Sequence, residues 1–267
     1  PRVGVELRWP LSMQTATANH YLEPVVQLVW SDTDPRPDTN EDSLLVELDE
    51  TNLFQFNRFP GRDRYEQGLR ANLGVNWQRT SHLGWSAGVA VGRIISVTPH
   101  PDAAPSSGLS TELSDWLTTV RLDLNNGLNV INRAQYQDDL TVTKNALELR
   151  WNQSEWDLSS TYTWLRADPT VGRPTEASEL LFSSAYRFDN DWNAEFSWQY
   201  DLSAKSSRNA ALGLSYKADC ASVDFSISRA FTSATNLQPT TDFGFQVSLD
   251  GFGTTPSARR KTHGCQS

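Results

Sequence analysis

Apolar residues recur at every second position along most of this chain. That period of two limits its fold more than any other feature. Between Glu155 and Leu165, Trp156, Leu158, Tyr162 and Trp164 share one face, while Asp157, Ser159, Thr161 and Thr163 share the other. Successive side chains of a strand point to opposite sides of the pleat, so this alternation describes a strand with one apolar face. Leu180, Phe182, Tyr186 and Phe188 form the next stripe. Trp192, Ala194, Phe196, Trp198 and Tyr200 form another, opposed by Asn193, Glu195, Ser197 and Gln199. Three more follow: Ala210, Leu212, Leu214 and Tyr216; Ala221, Val223, Phe225 and Ile227; and Phe243, Phe245, Val247 and Leu249. In the less regular first half, strands are expected over Val3–Trp9, Tyr21–Ser31, Arg64–Trp77, Leu83–Ile95, Glu112–Leu124, Leu128–Gln137 and Thr143–Trp151. The total is about 13 strands. Asn126-Gly127 and Asp189-Asn190 read as tight turns. No helical period is sustained, although Ser43–Phe54 admits a short helix or a loop.

Composition removes several classes. Two Cys in 267 residues exclude a disulfide-dense scaffold, and 15 Gly without a period exclude collagen. No run approaches the ~20 apolar residues of a spanning helix. A net charge of −9 argues against a nucleic-acid partner, and Arg259-Arg260-Lys261 reads as a solvated tail. Ten Trp, 11 Phe and 7 Tyr in a chain of mean hydropathy −0.51 indicate rings gathered on single faces.

A soluble β-sandwich and a membrane barrel both alternate. They differ in which face meets the surroundings. Here the polar face is small and mild, rings cluster near strand ends, and most strands reach the ~9–11 residues that span a bilayer. The expected fold is therefore all-β, an antiparallel transmembrane β-barrel, with a sandwich binding module as the alternative. The odd count and the opening inside a strand suggest part of a larger barrel, since single-chain bacterial barrels have even strand numbers. Residues 1–252 are expected to form the barrel portion, with a structured loop at about 32–63, and residues 253–267 a polar tail.

That loop departs from the strand-and-turn rhythm. Glu47, Asp49, Glu50, Arg58, Arg62, Asp63, Arg64, Glu66 and Arg70 crowd together with Phe54, Phe56 and Phe59. Such a segment is suited to folding over or into a lumen, held by Arg–carboxylate forks. Arg58, Arg62 and Arg64 facing Glu47, Asp49 and Glu50 would also serve as the constriction of a passive porin. No catalytic constellation stands out: there is no Gly-x-Ser-x-Gly elbow or phosphate loop, and His20, His82, His100 and His263 do not cluster with Cys. No enzyme activity, metal or cofactor is expected.

Asn40-Glu41-Asp42-Ser43, Asn52-Leu53-Phe54, Asn57-Arg58-Phe59-Pro60-Gly61-Arg62-Asp63-Arg64 and Glu66-Gln67-Gly68 closely resemble the LptD family of outer-membrane lipopolysaccharide-assembly proteins. Leu22-Glu23-Pro24, Ser114-Asp115, Tyr216 to Cys220 and Phe243–Gly251 extend the resemblance across nearly the whole chain. It implies the C-terminal portion of a barrel of roughly 26 strands in the Gram-negative outer membrane. It also implies lipopolysaccharide as cargo, an LptE-like plug lipoprotein, an N-terminal jellyroll domain with the early strands, and an LptA-like periplasmic bridge. Phe243, Gly244, Phe245, Val247 and Leu249, entered through Pro239, would line one lip of a lateral gate. The family often carries adjacent cysteines near Cys220 bonded to its N-terminal region. The resemblance therefore implies a long-range bond from Cys220, while Cys265 could replace the second cysteine. A Cys220–Cys265 bond within the chain is the alternative.

Overall fold

The computed structural model describes residues 2–32, 46, 48–59, 66–99, 103–188, 191–218, 221–231 and 238–249. Its elements are β1 (Arg2–Arg8), β2 (Leu11–Gln14), β3 (Ala18–Ser31), β4 (Gly68–Ser81), β5 (Ser86–Ser96), β6 (Trp116–Asp123), β7 (Leu128–Tyr136), β8 (Val142–Asn152), β9 (Trp156–Leu165), β10 (Ala177–Arg187), β11 (Trp192–Asp201), β12 (Ser206–Lys217), β13 (Ala221–Ala230) and β14 (Thr240–Leu249). Two one-turn 3-10 segments, Pro105–Ser107 and Pro169–Val171, are the helical content among the described residues. The described residues form two compact units: one drawn from 1–149 and 161–178, the other from 150–160 and 179–249.

In the first unit the strand order is β1-β3-β4-β5-β6-β7, and each of these pairings is antiparallel. β2 also pairs with β3, in the register that β1 begins: Arg8 faces Val25 and Leu11 faces Leu22. β1 and β2 are thus one strand line interrupted at Trp9-Pro10, so the fourteen strands among the described residues make thirteen lines. The interruption has a local cause. Trp9 N–H donates to Pro24 O at 3.1 Å, and Pro24 has no N–H to return. β4 starts at Gly68, four residues after the expected Arg64. Gly68 has φ +79°, a left-handed conformation that suits glycine, and it turns the loop into the ladder.

In the second unit β10 to β14 follow chain order, again antiparallel. Register carries the sequence stripes onto one face: Phe225 faces Phe245, Ile227 faces Phe243, and Leu212 lies beside both Phe196 and Ile227. Ser226 opposite Gly213 and Gly244 belongs to the other face.

Both units join strands by short turns at one end, while the longer segments lie at the other, together with the short turns 137–141 and 202–205. Turns at 82–85 and 124–127 alternate with segments at 32–67 and 97–115 in the first unit. In the second, 153–155 and 188–191 are short, and 231–239 is long. The Asn126-Gly127 turn closes as expected, with Gly127 at φ +80° and Leu128 N–H donating to Asn126 Oδ1 at 3.2 Å.

Two of the longer segments are tied by one buried carboxylate. Asp168 Oδ2 accepts from Ser106 N at 2.8 Å, and its Oδ1 accepts from Thr170 N at 3.0 Å. Burial opposes the charge, but the hydrogen bonds from Ser106 and Thr170 outweigh it and hold the carboxyl at about 2. A folded value below the ordinary one means that the contribution is complete above about pH 4 and disappears as pH falls toward 2. Asp168→Asn is expected to weaken this tie by about 1–3 kcal/mol at neutral pH. Hydrogen exchange at the Ser106 amide should rise; unchanged protection would refute the tie.

Candidate functional site

The site grows from the parity of the strands. In β4, Arg70, Asn72, Gly74, Asn76 and Gln78 share the polar face, whereas Leu69, Leu73, Val75 and Trp77 share the apolar one. The described residues of the segment between β3 and β4, 46 and 48–59, lie against the polar face of the first unit. Its Val46, Leu48, Leu53 and Phe59 form a buried cluster with Ile94 of β5 and Leu117 of β6, and Phe54 packs against this cluster.

Glycines make room for it. Gly74 and Gly92 face each other across β4 and β5. A Cβ on Gly74 would stand 2.8 Å from Phe54 Cζ, and one on Gly92 would collide with Leu53 Cδ2. On β1, a Cβ on Gly4 would lie 2.7 Å from Phe56 Cζ. Three positions without side chains thus accept three large apolar groups from the loop.

Charge fastens what packing positions. Arg58 Nη1 donates to both Glu66 oxygens, at 2.9 and 2.7 Å, and Arg58 Nη2 donates to Leu53 O. Arg70 Nε stands 3.2 Å from Glu66 Oε2, while Arg70 Nη2 donates to Phe56 O. The two guanidinium side chains are fully buried and share the nearly buried Glu66 carboxylate. Beside them, Gln27 Nε2 bonds Glu6 Oε2 at 2.7 Å and Phe54 O at 2.9 Å, and Asn72 Nδ2 donates to Gln27 Oε1 at 2.6 Å. Asn57 Oδ1 accepts from Glu66 N at 3.1 Å.

The other end of the loop is held by β6 and β7. Glu50 accepts from Arg133 Nε at 2.7 Å and Arg121 Nη2 at 3.0 Å, and Gln135 Nε2 donates to Leu48 O. Burial works against the Glu50 charge, yet hydrogen bonds from Arg133 and Arg121 outweigh it and keep its carboxyl below the usual range. Next to the docked loop is a cavity of about 550 Å³ with a mixed wall, in which Arg8, Glu23, Glu50 and Arg121 stand beside Leu53 and Leu117.

The pairing differs from the sequence expectation. Glu50 is paired with strand arginines, not with Arg58, Arg62 or Arg64, and Arg58 takes Glu66. Arg121 and Arg133 lie on the polar parity of strands, and that parity was the available signal for them. Gly4, Gly74 and Gly92 gave no such signal, because nothing in a glycine names the ring that will cover it. Of the predicted loop residues, Asn57, Arg58 and Phe59 are brought together here; Pro60, Gly61, Arg62, Asp63 and Arg64 lie outside the described residues. Cys220 and Cys265 also lie outside them. Phe243, Phe245, Val247 and Leu249 share the exposed apolar face of β14, which pairs with β13. Gly244 opposes Ser226, where a Cβ would collide with Ser226 Oγ, and Pro239 precedes the strand, exposed. Among the described residues no group of His, Cys, Asp and Glu could hold a metal ion.

Two antiparallel units with apolar outer stripes, rings at strand ends and a polar face carrying a docked loop define an outer-membrane β-barrel protein. The family profile described as LptD, LPS transport system D, matches residues 1–176, and the chain belongs to that family. That description is of a transport component, not of an enzyme. Over 254 residues the chain is 22% identical to the LPS-assembly protein LptD of Vibrio cholerae serotype O1, covering 85% of this chain and 32% of that protein. The chain therefore spans about a third of the length of this curated relative. Two mutants of the Rh. blastica porin align over 94% of this chain and 80% of theirs, with 13% identity and a TM-score of 0.41.

Glu66→Gln would leave two buried guanidinium groups without an anionic partner, a loss of about 3–5 kcal/mol. Protease sensitivity between Leu48 and Phe59 should rise sharply in the folded barrel. Equal resistance in variant and parent would contradict the shared-carboxylate account. Gly92→Leu should displace Leu53 and produce the same sensitivity with all charges intact.

Proposed function

We propose that this chain is the C-terminal portion of a barrel of roughly 26 strands that carries lipopolysaccharide to the outer leaflet of the outer membrane. The observation that carries this reading is the family match over residues 1–176, joined to a wall with one polar and one apolar face. The cargo has the same division. Its sugar and phosphate head needs a wet, polar route, and its acyl chains need an exit into hydrocarbon. The polar face, with its ion pairs and the Arg8, Glu23, Glu50 and Arg121 side chains along the cavity, suits the head. Exit between strands requires breaking ladder hydrogen bonds, which is costly in lipid, so a strand with few of them makes the best lip. β14 is that lip in this reading: its ladder to β13 is unbroken from Thr240 to Leu249, but its other edge has no partner among the described residues, and Pro239 stands at its entry.

In this reading the missing strands and a jellyroll domain belong to the same protein. An LptE-like lipoprotein fills the lumen, an LptA-like bridge delivers the cargo, and Cys220 takes part in a disulfide to the N-terminal region. A passive porin-like barrel is the second reading. It is favoured by the loop docked on the polar face, which would act as a constriction.

Depletion of the full-length protein in cells separates the two. Translocation predicts that lipopolysaccharide disappears from the cell surface and returns with the parent gene, while small-solute uptake changes little. Lost solute uptake with normal surface lipopolysaccharide would favour the porin. For the gate, Pro239→Ala should slow export by stiffening the entry to β14; unchanged surface lipopolysaccharide would remove β14 from the exit.

A further inference from the structure

We propose that Arg93, Trp116 and Asp138 form an anchor that holds the apolar face of the first unit at the headgroup level of a lipid bilayer, on the side of the long segments. Arg79 and Trp85 are its counterpart on the side of the short turns. The proposal rests on the barrel class and is independent of the cargo.

Parity places Arg93 on the apolar face. Its neighbours Gly92 and Ile94 meet the docked loop, so Arg93 points the opposite way, with Val91 and Ile95. Trp116 likewise alternates with buried Leu117. A cation on a lipid-facing wall is costly at the midplane and much less so near the interface. An outward arginine is therefore tolerated where its head can reach polar groups. Arg93 meets that condition at one end only. Nη2 donates to Ser114 O at 2.8 Å and Nη1 to Asp138 Oδ1 at 2.9 Å. Ser114 precedes β6 and Asp138 follows β7, so the guanidinium reaches toward the long-segment end.

The indole completes the cluster. Arg93 Cζ lies 4.6 Å from the Trp116 ring centre, and Trp116 Nε1 donates to the same Asp138 Oδ1 at 2.9 Å. Hydrogen bonds from Arg93 and Trp116 keep the Asp138 carboxyl below its ordinary range, so the ion pair persists at neutral pH. One row further, the Thr118 and Tyr136 hydroxyls meet at 3.0 Å. Rings with a polar tip beside a stacked cation are what the boundary between acyl chains and headgroups selects.

At the opposite end Arg79 Cζ lies 4.7 Å from the Trp85 ring centre, in the turn between β4 and β5. Between the two clusters the apolar face shows Val75, Val89, Val91 and Val120. The second unit repeats the arrangement on its own strands. Trp156, Tyr186, Phe188, Trp192 and Tyr216 form a chain of rings at the short-turn end, with centre distances from 4.1 to 6.2 Å. Arg229 lies 5.2 Å from the Phe231 ring centre at the long end.

The test uses the full-length protein in vesicles of phosphatidylethanolamine and phosphatidylglycerol. A spin label is coupled to p-azidophenylalanine introduced at Val120, Thr118 or Leu140, one site at a time. Relaxation by oxygen, which partitions into hydrocarbon, is compared with relaxation by a water-soluble nickel chelate. Oxygen should dominate at Val120, nickel at Leu140, and the two should balance at Thr118. Arg93→Leu should shift the Thr118 label toward oxygen, and Arg93→Lys should restore the balance in part. Nickel dominating at Val120 would overturn the membrane wall itself. Oxygen at Val120 with a Thr118 label indifferent to Arg93→Leu would overturn the anchor and leave the barrel standing. Should Arg93→Leu not fold, oxygen dominating at Leu140 in the parent protein would be sufficient to reject the assigned level.

Discussion

Hydrocarbon offers a backbone no hydrogen-bond partner, and every ladder in this protein answers that constraint. A strand in lipid must satisfy its N–H and C=O groups through its neighbours. The pairings of β3 with β4 and β4 with β5 run without a shift from Ala18 to Ser31 and from Arg70 to Ser96. Where a donor is missing, the ladder breaks. Pro24 cannot return the bond from Trp9, and the strand line opposite it divides into β1 and β2.

Continuous pairing determines what each face can do. With the backbone satisfied in the plane of the sheet, side chains alone distinguish the two sides, and period two sorts them along β4 from Leu69 to Gln78, with Arg79 the cation on the apolar parity at the strand end. The apolar side can then meet acyl chains directly. The polar side needs another occupant, and in the first unit the protein supplies it from its own chain. The β3–β4 segment brings rings to Gly4, Gly74 and Gly92 and charges to Arg70, Arg121 and Arg133. Packing and ion pairing act together there. The glycines allow the close approach, and that approach excludes water from the Arg58–Glu66–Arg70 group. Exclusion of water makes the shared carboxylate indispensable, because an unpaired buried charge is far costlier than a solvated one.

The same economy of position appears at the strand ends. Asp168 joins two long segments that are distant in sequence through a single carboxylate, and Asp138 gathers a guanidinium and an indole in the same way. Short turns use both means: Asn126-Gly127 closes through its own backbone and side-chain geometry, and Asn125 Nδ2 donates to Leu83 O of the neighbouring turn.

The sequence by itself determined the class, the strands and their faces. Stripes such as Phe243, Phe245, Val247 and Leu249 can bury or expose only as a set, because a period of two admits no other grouping. It also pointed to a packing site for Phe54, Phe56 and Phe59, three rings set beside many charges. Only the tertiary structure decided who pairs with whom. Glu50 chooses Arg121 and Arg133 over nearer arginines, and Arg58 chooses Glu66, because both choices depend on where the loop lands across several strands. That landing is set by gaps above Gly74 and Gly92, whose register places them side by side although they are eighteen residues apart in the chain. A missing Cβ carries no local signal of its partner; the space it leaves acquires meaning only once the neighbouring strands and the loop are in place.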